Sequence, residues 1–416
     1  MGLFNYRRPM ITIFFINIIG FAVLLFLNHM DYTVLIYGAV LLAVLEIAYL
    51  VLCRMSMEDQ YIFLIVAMLF SIGEIMLFRL DETFGKQQML WFGVSLVCFF
   101  ATYFLIIKTD VWERLGFLYF GGAILLFLIT MLFGRTVSGA RNWIYIGKFS
   151  IQTSEIIKLF VVFMLADRYT NPKRYRLFGL SEGLVLSALV YAVLGCMVIQ
   201  REWGTAVVIF LMHLSMMFIF GENKKIMLLN IGLAVVGGCL GAMFLTHIQT
   251  RIEVWLNPWS DMSGKGYQIT QSLFAIGAGG FFGTGIGMGS PEYIPYVHTD
   301  FIFSAICEEF GILGGVAVIM LYFVLVYRGL RISMNIHDTF YKALSAAVTI
   351  LLGFQSFIIL GGVTKFIPLT GITMPFISYG GSSLLISFIA IGILEGAANK
   401  GHIVRKGEVM HEKESA

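Results

Sequence analysis

Apolar runs long enough to cross a bilayer, separated by short polar connections, recur along the chain. They fall near 10–28, 34–53, 61–78, 89–107, 117–134, 151–167, 180–199, 203–220, 225–246, 301–327, 340–362 and 375–396. The pattern predicts about twelve transmembrane helices in an all-α polytopic membrane protein. Two connections break the rhythm: 135–150 (GRTVSGARNWIYIGKF), and the longest, 247–300. The second reads as a long, glycine-rich, non-helical loop from Arg251 onward. It carries nine glycines between Gly264 and Gly289, and an apolar piece, Ser272 to Phe282, too short to span. Such a piece fits a segment dipping into the membrane interface under cover of protein or water. The polar end, 400–416, reads as a disordered cytoplasmic tail.

Composition agrees, with 59% hydrophobic and 13% charged residues, far from the balance of a soluble domain. Lys and Arg favour the two ends and the even-numbered connections by about two to one, most densely at 168–176. By the positive-inside rule, both termini are then cytoplasmic and 135–150 and 247–300 face outward. No A-x-A site follows the first run, so it reads as an uncleaved anchor. The net charge of +3 is spread over many connections and gives no case for nucleic acid. The five cysteines lie inside apolar runs and the seven histidines are dispersed, so neither suggests a disulfide framework or a metal centre. The inner connections are short and hold no phosphate-cradling glycine loop, which argues against a nucleotide-driven machine.

Carboxylates are scarce in the apolar runs, because an unpaired charge in lipid is costly. Those present are therefore candidates for chemistry. Asp300 stands at the outer mouth of the tenth run, where an acid can cap a helix or serve as a general base. Glu308 and Glu309 follow two turns deeper. Glu155 and Lys158, three apart in the sixth run, share a face and read as a structural ion pair that also shapes a cavity. In QREWGT (200–205), Arg201 and Glu202 are explained by a solvated turn at the outer edge of two runs. In PLTGITMPFISYGGSS (368–383), Pro368 and Pro375 break the helix, while Gly380 and Gly381 permit close backbone approach. Ser382 and Ser383 there suit a bond to backbone or to substrate. Among outward basic residues, Arg141, Lys148, Arg251 and Lys265 are candidates to clamp an anion. Glu46 and Glu74, within spans, have no sequence explanation.

Taken in order, GARNW (139–143), SEIIK (154–158), QREWGT, GYQITQSLFAIGAGGFFGTGIGMG (266–289), HTDFIF (298–303), EEFGILG (308–314) and PLTGITMPFISYGGSS resemble the SEDS family (shape, elongation, division, sporulation), which includes RodA, FtsW and SpoVE. The resemblance covers roughly residues 115–400. It implies a peptidoglycan glycosyltransferase of the bacterial cytoplasmic membrane that polymerises lipid II at the outer face by inverting transfer. Polyprenyl-diphosphate-linked glycan would be the donor and a class B penicillin-binding protein the partner. It assigns the family's essential aspartate to Asp300, its tryptophan to Trp143 and its intramembrane pair to Glu155 and Lys158, with Glu202 beside them. Arg141, Arg251, Lys265, Gln271, Ser382 and Ser383 then become candidate substrate contacts. No cofactor is implied beyond a divalent cation (Mg2+ or Mn2+) as an alternative neutraliser of diphosphate, and no residue set reads as a metal site.

Departures from the family pattern are specific. Family members have ten spans, so the hairpin within 1–56 reads as an N-terminal addition to a core at 57–399. QREWGT stands for Q-P-D-L-G-T and TSE for P-S-E. Ile359 replaces an Asn, and Lys365 stands where Gly is common. Two rival functions stay open. A lipid II flippase would line a path through the membrane with polar residues; a non-catalytic scaffold for the transpeptidase would tolerate loss of Asp300.

Overall fold

The computed structural model describes residues 4–27, 30–55, 59–137, 139–147, 149–177 and 179–415. It is almost all helical: α1 (Phe4–Leu27), α2 (Tyr32–Arg54), α3 (Gln60–Leu80), α4 (Glu82–Lys108), α5 (Phe117–Phe133), α6 (Thr153–Thr170), α7 (Glu182–Ile199), α8 (Trp203–Ile219), α9 (Lys224–Phe244), α10 (Thr246–Leu256), α11 (Tyr267–Gly279), α12 (Ile302–Asn335), α13 (Thr339–Val363) and α14 (Gly381–Ser415). Each apolar run of the sequence falls on one of these helices. Among the described residues nine helices are long and apolar enough to cross a membrane, and α5 and α8 are shorter apolar helices. Helix α6, interrupted by Glu155, Lys158, Asp167 and Arg168, is outside both groups.

The chain divides into two compact units. The first comprises residues 1–96, 247–325 and 356–384. Its centre is α3, buried on nearly every face through Ile62, Val66, Leu69 and Phe70, as expected of a helix that is apolar all round. Phe70 stacks on Phe92 of α4 at 4.2 Å. The N-terminal hairpin packs closely through small residues: a Cβ at Gly20 would come within 2.5 Å of Ile75, and one at Gly38 within 2.6 Å of Phe21. Lipid offers no hydrophobic drive for helix association, so such close van der Waals contact carries it. Asn17 adds a buried bond to Ser71 at 2.9 Å. The helix starts are capped locally, with Asp31 accepting from the Thr33 amide (2.9 Å) and Asp59 from the Tyr61 amide (3.0 Å).

The second unit comprises 97–246, 326–355 and 385–416. Its centre is α6, whose Ile157, Val162, Leu165 and Ala166 are buried. Glycines of α14 let it lie against α4: a Cβ at Gly392 would meet the Phe99 carbonyl at 2.7 Å, and one at Gly396 the Ile106 side chain at 2.9 Å. The stretch 135–150, expected as an irregular outer loop, forms a three-stranded antiparallel sheet of β1 (Arg135–Val137), β2 (Ala140–Ile146) and β3 (Phe149–Gln152). Its register pairs Trp143 with Arg135 on one side and Gln152 on the other. Gly139 (φ 82°) and Gly147 (φ 62°) supply the left-handed turns between strands.

Two other expectations change. The stretch from Arg251 is not simply a loop, since Arg251 lies on α10 and residues 267–279 form α11. The expected disordered tail continues α14 as helix to Ser415.

Candidate active site

The first unit gathers Asp300, Arg251 and Lys265 around one cavity of about 200 Å³. Arg251 comes from α10, Lys265 and Gln268 from the start of α11, Asp300 from the turn before α12, and Lys365, Leu369 and Gly371 from the segment after α13. These positions are up to 120 residues apart, so tertiary structure alone makes the site.

Asp300 closes a tight turn, its amide donating to the Tyr296 carbonyl at 3.1 Å, with Tyr296 itself at φ 57°. Its carboxylate bonds the Thr299 hydroxyl and faces the Arg251 guanidinium, so capping α12 is not its role. Burial pushes the Asp300 carboxyl up to about 6, against the pull of Thr299 and Arg251, both of which favour the ionised form. A carboxylate that is ionised at neutral pH yet a stronger base than usual suits general-base work. Between the two charges runs the backbone of Gly371 at φ 69°; a Cβ there would sit 3.4 Å from Arg251 Nη2 and 3.5 Å from Asp300 Oδ2. The backbone angle favours glycine there.

Each cation is held differently. Arg251 Nη1 donates to the Leu369 carbonyl at 2.9 Å, fixing the guanidinium. Lys265 is exposed and pairs with Glu253 at 3.4 Å, while its amide donates to Asp261 at 2.9 Å. Lys365 adopts φ 61°, a left-handed conformation that costs a non-glycine residue about 1 kcal/mol. Its carbonyl accepts from Trp255 Nε1 at 3.2 Å.

The segment carrying Asp300 is clamped by the YGGSS turn. Ser378 Oγ donates to the Thr299 carbonyl (2.5 Å) and accepts from the Met374 amide (2.9 Å). The Tyr379 amide donates to the His298 carbonyl at 2.8 Å. Gln88 of α4 donates to the Ser378 carbonyl at 3.0 Å and accepts from the Gly380 amide at 3.3 Å. His298 stacks on Phe84 at 4.2 Å, and burial lowers its pKa against the opposing pull of Asp81.

Below Asp300, α12 is broken at Gly311 (φ 71°, ψ −172°). Into the break fits the glycine-rich strap: the Thr284 and Gly285 amides donate to the Glu308 and Glu309 carbonyls at 2.9 and 3.0 Å, and the Ile312 amide donates to Gly280 at 3.0 Å. Glu309 pairs with Arg79 of α3 at 2.9 Å, and Arg79 also donates to the Gly289 carbonyl at 3.1 Å. Glu308 accepts from the Ser290 amide at 2.8 Å. The acid pair therefore ties strap to helix and helix to α3.

Other expected site residues lie elsewhere. Gln271 is off the cavity wall; Gln268, one turn earlier, lines it. Ser383 accepts from the Thr373 hydroxyl at 2.6 Å and Ser382 is buried at the start of α14, and neither lines this cavity. In the second unit, Trp143 is half-buried on β2. Arg141 Nε and Nη2 donate to the Gly134 and Leu132 carbonyls at 2.8 and 3.3 Å, which makes it an end cap for α5. Lys148 lies outside the described residues. Glu155 and Lys158 form the expected pair at 2.9 Å, and Lys158 also donates to Gln355 at 2.7 Å. Glu202 joins no ion pair among the described residues: it accepts from Gln152 (2.8 Å) and Thr205 (3.1 Å). It is buried rather than in a solvated turn, and only Arg201 of that turn is exposed.

The cavity's donor set is one carboxylate among cations, and no cluster of three metal-ligating side chains occurs among the described residues. Those residues do not fit a protein-held divalent cation.

The family model for FtsW/RodA/SpoVE, described as cell cycle protein, matches residues 50–402 and leaves α1 and most of α2 outside it. The chain is 33% identical over 385 residues to peptidoglycan glycosyltransferase RodA of Mycobacterium tuberculosis, covering 86% of this chain and 82% of that one. It is 33% identical over 360 residues to stage V sporulation protein E of Bacillus subtilis, covering 82% and 97%. A chain from a solved peptidoglycan synthase complex that coordinates polymerization and crosslinking superposes with a TM-score of 0.69 at 24% identity, over 82% of this chain and 98% of that chain. The protein belongs to the FtsW/RodA/SpoVE cell cycle protein family.

Proposed function

We propose that this protein is a peptidoglycan glycosyltransferase that polymerises lipid II at the outer face of the bacterial cytoplasmic membrane, with Asp300 as its general base. The reading rests on one observation above all: Asp300 and Arg251 face each other across Gly371 in a cavity that Lys265 also lines. A base and fixed cations within one small hollow are what transfer from a lipid diphosphate requires. The acceptor is a sugar hydroxyl of lipid II, and the donor is a glycan on polyprenyl diphosphate.

In the reaction the acceptor oxygen attacks the donor's anomeric carbon as Asp300 takes its proton. The bond from that carbon to the diphosphate oxygen breaks, and configuration inverts. Proton removal by a placed side chain contributes typically ~10²–10⁴ in rate. Arg251, held by Leu369, is positioned to offset charge on the departing diphosphate, a contribution that costs no reorganisation when the donor is fixed beforehand. Lys265 adds charge from an exposed stem. No nucleotide is needed, because the diphosphate ester is already activated.

Purified enzyme given purified lipid II tests the assignment. The Asp300→Asn variant is expected to lose processive glycan synthesis while keeping its fold. Near-normal polymer from that variant ends the general-base role. Flipping of lipid II in vesicles without polymer from the unaltered enzyme favours a transporter instead. A class B penicillin-binding protein is the proposed partner, and polymer yield should rise when one is co-expressed. If growth survives loss of Asp300 but not loss of that partner's binding, the scaffold reading takes over.

A further inference from the structure

The proposed reaction uses Arg251 and Lys265, yet a third cation borders the same cavity with no assigned part. Lys365 follows α13, one turn from the Gly361 and Gly362 pair, and lines the cavity that holds Asp300. Three observations single it out. Its backbone sits at φ 61°, a conformation glycine adopts freely and a lysine does not. Lys265 pairs with Glu253 and Arg251 faces Asp300, but no ion pair of Lys365 forms among the described residues. The Trp255 indole holds the Lys365 carbonyl at 3.2 Å, so the residue's backbone is fixed at the cavity wall even though its side chain is unpaired.

The left-handed backbone carries its cost whatever meets the amine, so a lysine kept there with no partner for its amine among the described residues leaves that charge free to meet an anion in the cavity. A capping role is excluded by geometry, since the amine bonds no carbonyl of α13 among the described residues. The surrounding chemistry narrows the anion. A lone carboxylate has too few acceptor oxygens to meet several cations, whereas a diphosphate can engage two or three at once and so offset its repulsion by Asp300. We propose that Lys365 is a diphosphate-binding residue of this enzyme, completing with Arg251 and Lys265 a three-cation cradle for the polyprenyl diphosphate. This rests on the polymerase reading for the identity of the lipid, but not for the chemistry of the anion. It accounts for a lysine at a glycine-like position: the backbone angle is retained at a cost in stability because the charge is used.

Farnesyl diphosphate serves as the probe, with the full chain purified in detergent and binding read by its thermal shift. The variants Lys365→Gln, Lys365→Gly and Lys365→Arg separate charge from backbone. Gln and Gly should each weaken farnesyl diphosphate binding about tenfold, the size of one lost charge-assisted hydrogen bond, and Arg should retain it. Without ligand, Gly should melt higher than wild type and Gln should match it, so binding and stability move in opposite directions for Gly. Farnesyl phosphate, with less charge, should discriminate less between wild type and Gln. Wild-type affinity in the Gln and Gly variants overturns the assignment, as does a wild-type protein that binds no farnesyl diphosphate. If the wild type polymerises lipid II while the variants bind normally, only the role of Lys365 falls. If the wild type binds the probe through Lys365 but makes no polymer, the role stands and the polymerase reading falls.

Discussion

Asp300 shows how a single residue sets a pH response. Burial raises its pKa to about 6, so the folded protein binds this proton more tightly than the unfolded chain does. Its stabilising contribution is complete below the ordinary aspartate value of 3.8 and is lost as pH rises through 6. In the proposed mechanism activity runs the opposite way, because a general base must be ionised to act. The kcat/KM for lipid II should rise with pH through about 6 with unit slope, and the Arg251→Gln variant, lacking a charge that favours the ionised form, should move that limb upward. A pH profile unchanged by Arg251→Gln would separate the two residues. At neutral pH, Asp300→Asn should melt higher than wild type, since the buried charge is gone. Asp300 was legible in the sequence as an acid at a helix mouth, and so were Arg251 and Lys265 as outward cations. Gly371, Gln88 and Ser378 were not singled out, because what they do depends on segments more than 70 residues away. The cap that Arg141 places on α5 is hidden for a similar reason: nothing in GARNW tells that its fork reaches back to the end of that helix.

At the scale of elements, the break in α12 is the most exacting contact. A Cβ at Gly311 would fall 2.3 Å from the Gly283 amide nitrogen, and its φ of 71° is closed to most side chains. Gly311→Ala should therefore cost roughly 2–3 kcal/mol, from strain and displaced strap together, and should lower polymerisation beyond what the melting shift explains. In the second unit, removing one partner of the Lys158 and Glu155 pair strands a buried charge. Lys158→Met alone should destabilise by about 3–5 kcal/mol, whereas Lys158→Met with Glu155→Gln should recover most of it, as thermal melts would report. The helices were legible because apolar length is a local signal. The three-stranded sheet was not, since strands of three, seven and four residues are too short for alternation to stand out between two spans. Helix α10 was hidden for the same reason, being amphipathic and only 11 residues long.

For the whole molecule, the sequence expectation of twelve crossings places both termini on one side and 247–300 on the other. Single cysteines test this: Trp259→Cys should react with an impermeant thiol reagent added to intact cells, and Lys173→Cys only after the membrane is opened. Labelling in the reverse order would invert the proposed outward site. The hairpin α1–α2 reads in the sequence as an addition, and the family model matches from residue 50. How it attaches was not legible, because Gly20 against Ile75 and Asn17 against Ser71 are contacts between residues that look ordinary in their own helices. The interruption at Gly311 has a mechanical consequence as well. An unbroken helix is a stiff lever, and tilting its far end would swing the acid at its mouth. A notched one behaves as two short rods on a hinge, so the upper turns travel with the glycine strap and with Arg79. Rocking of the lower rod in the bilayer can then leave Asp300 in place beside Arg251 and Gly371.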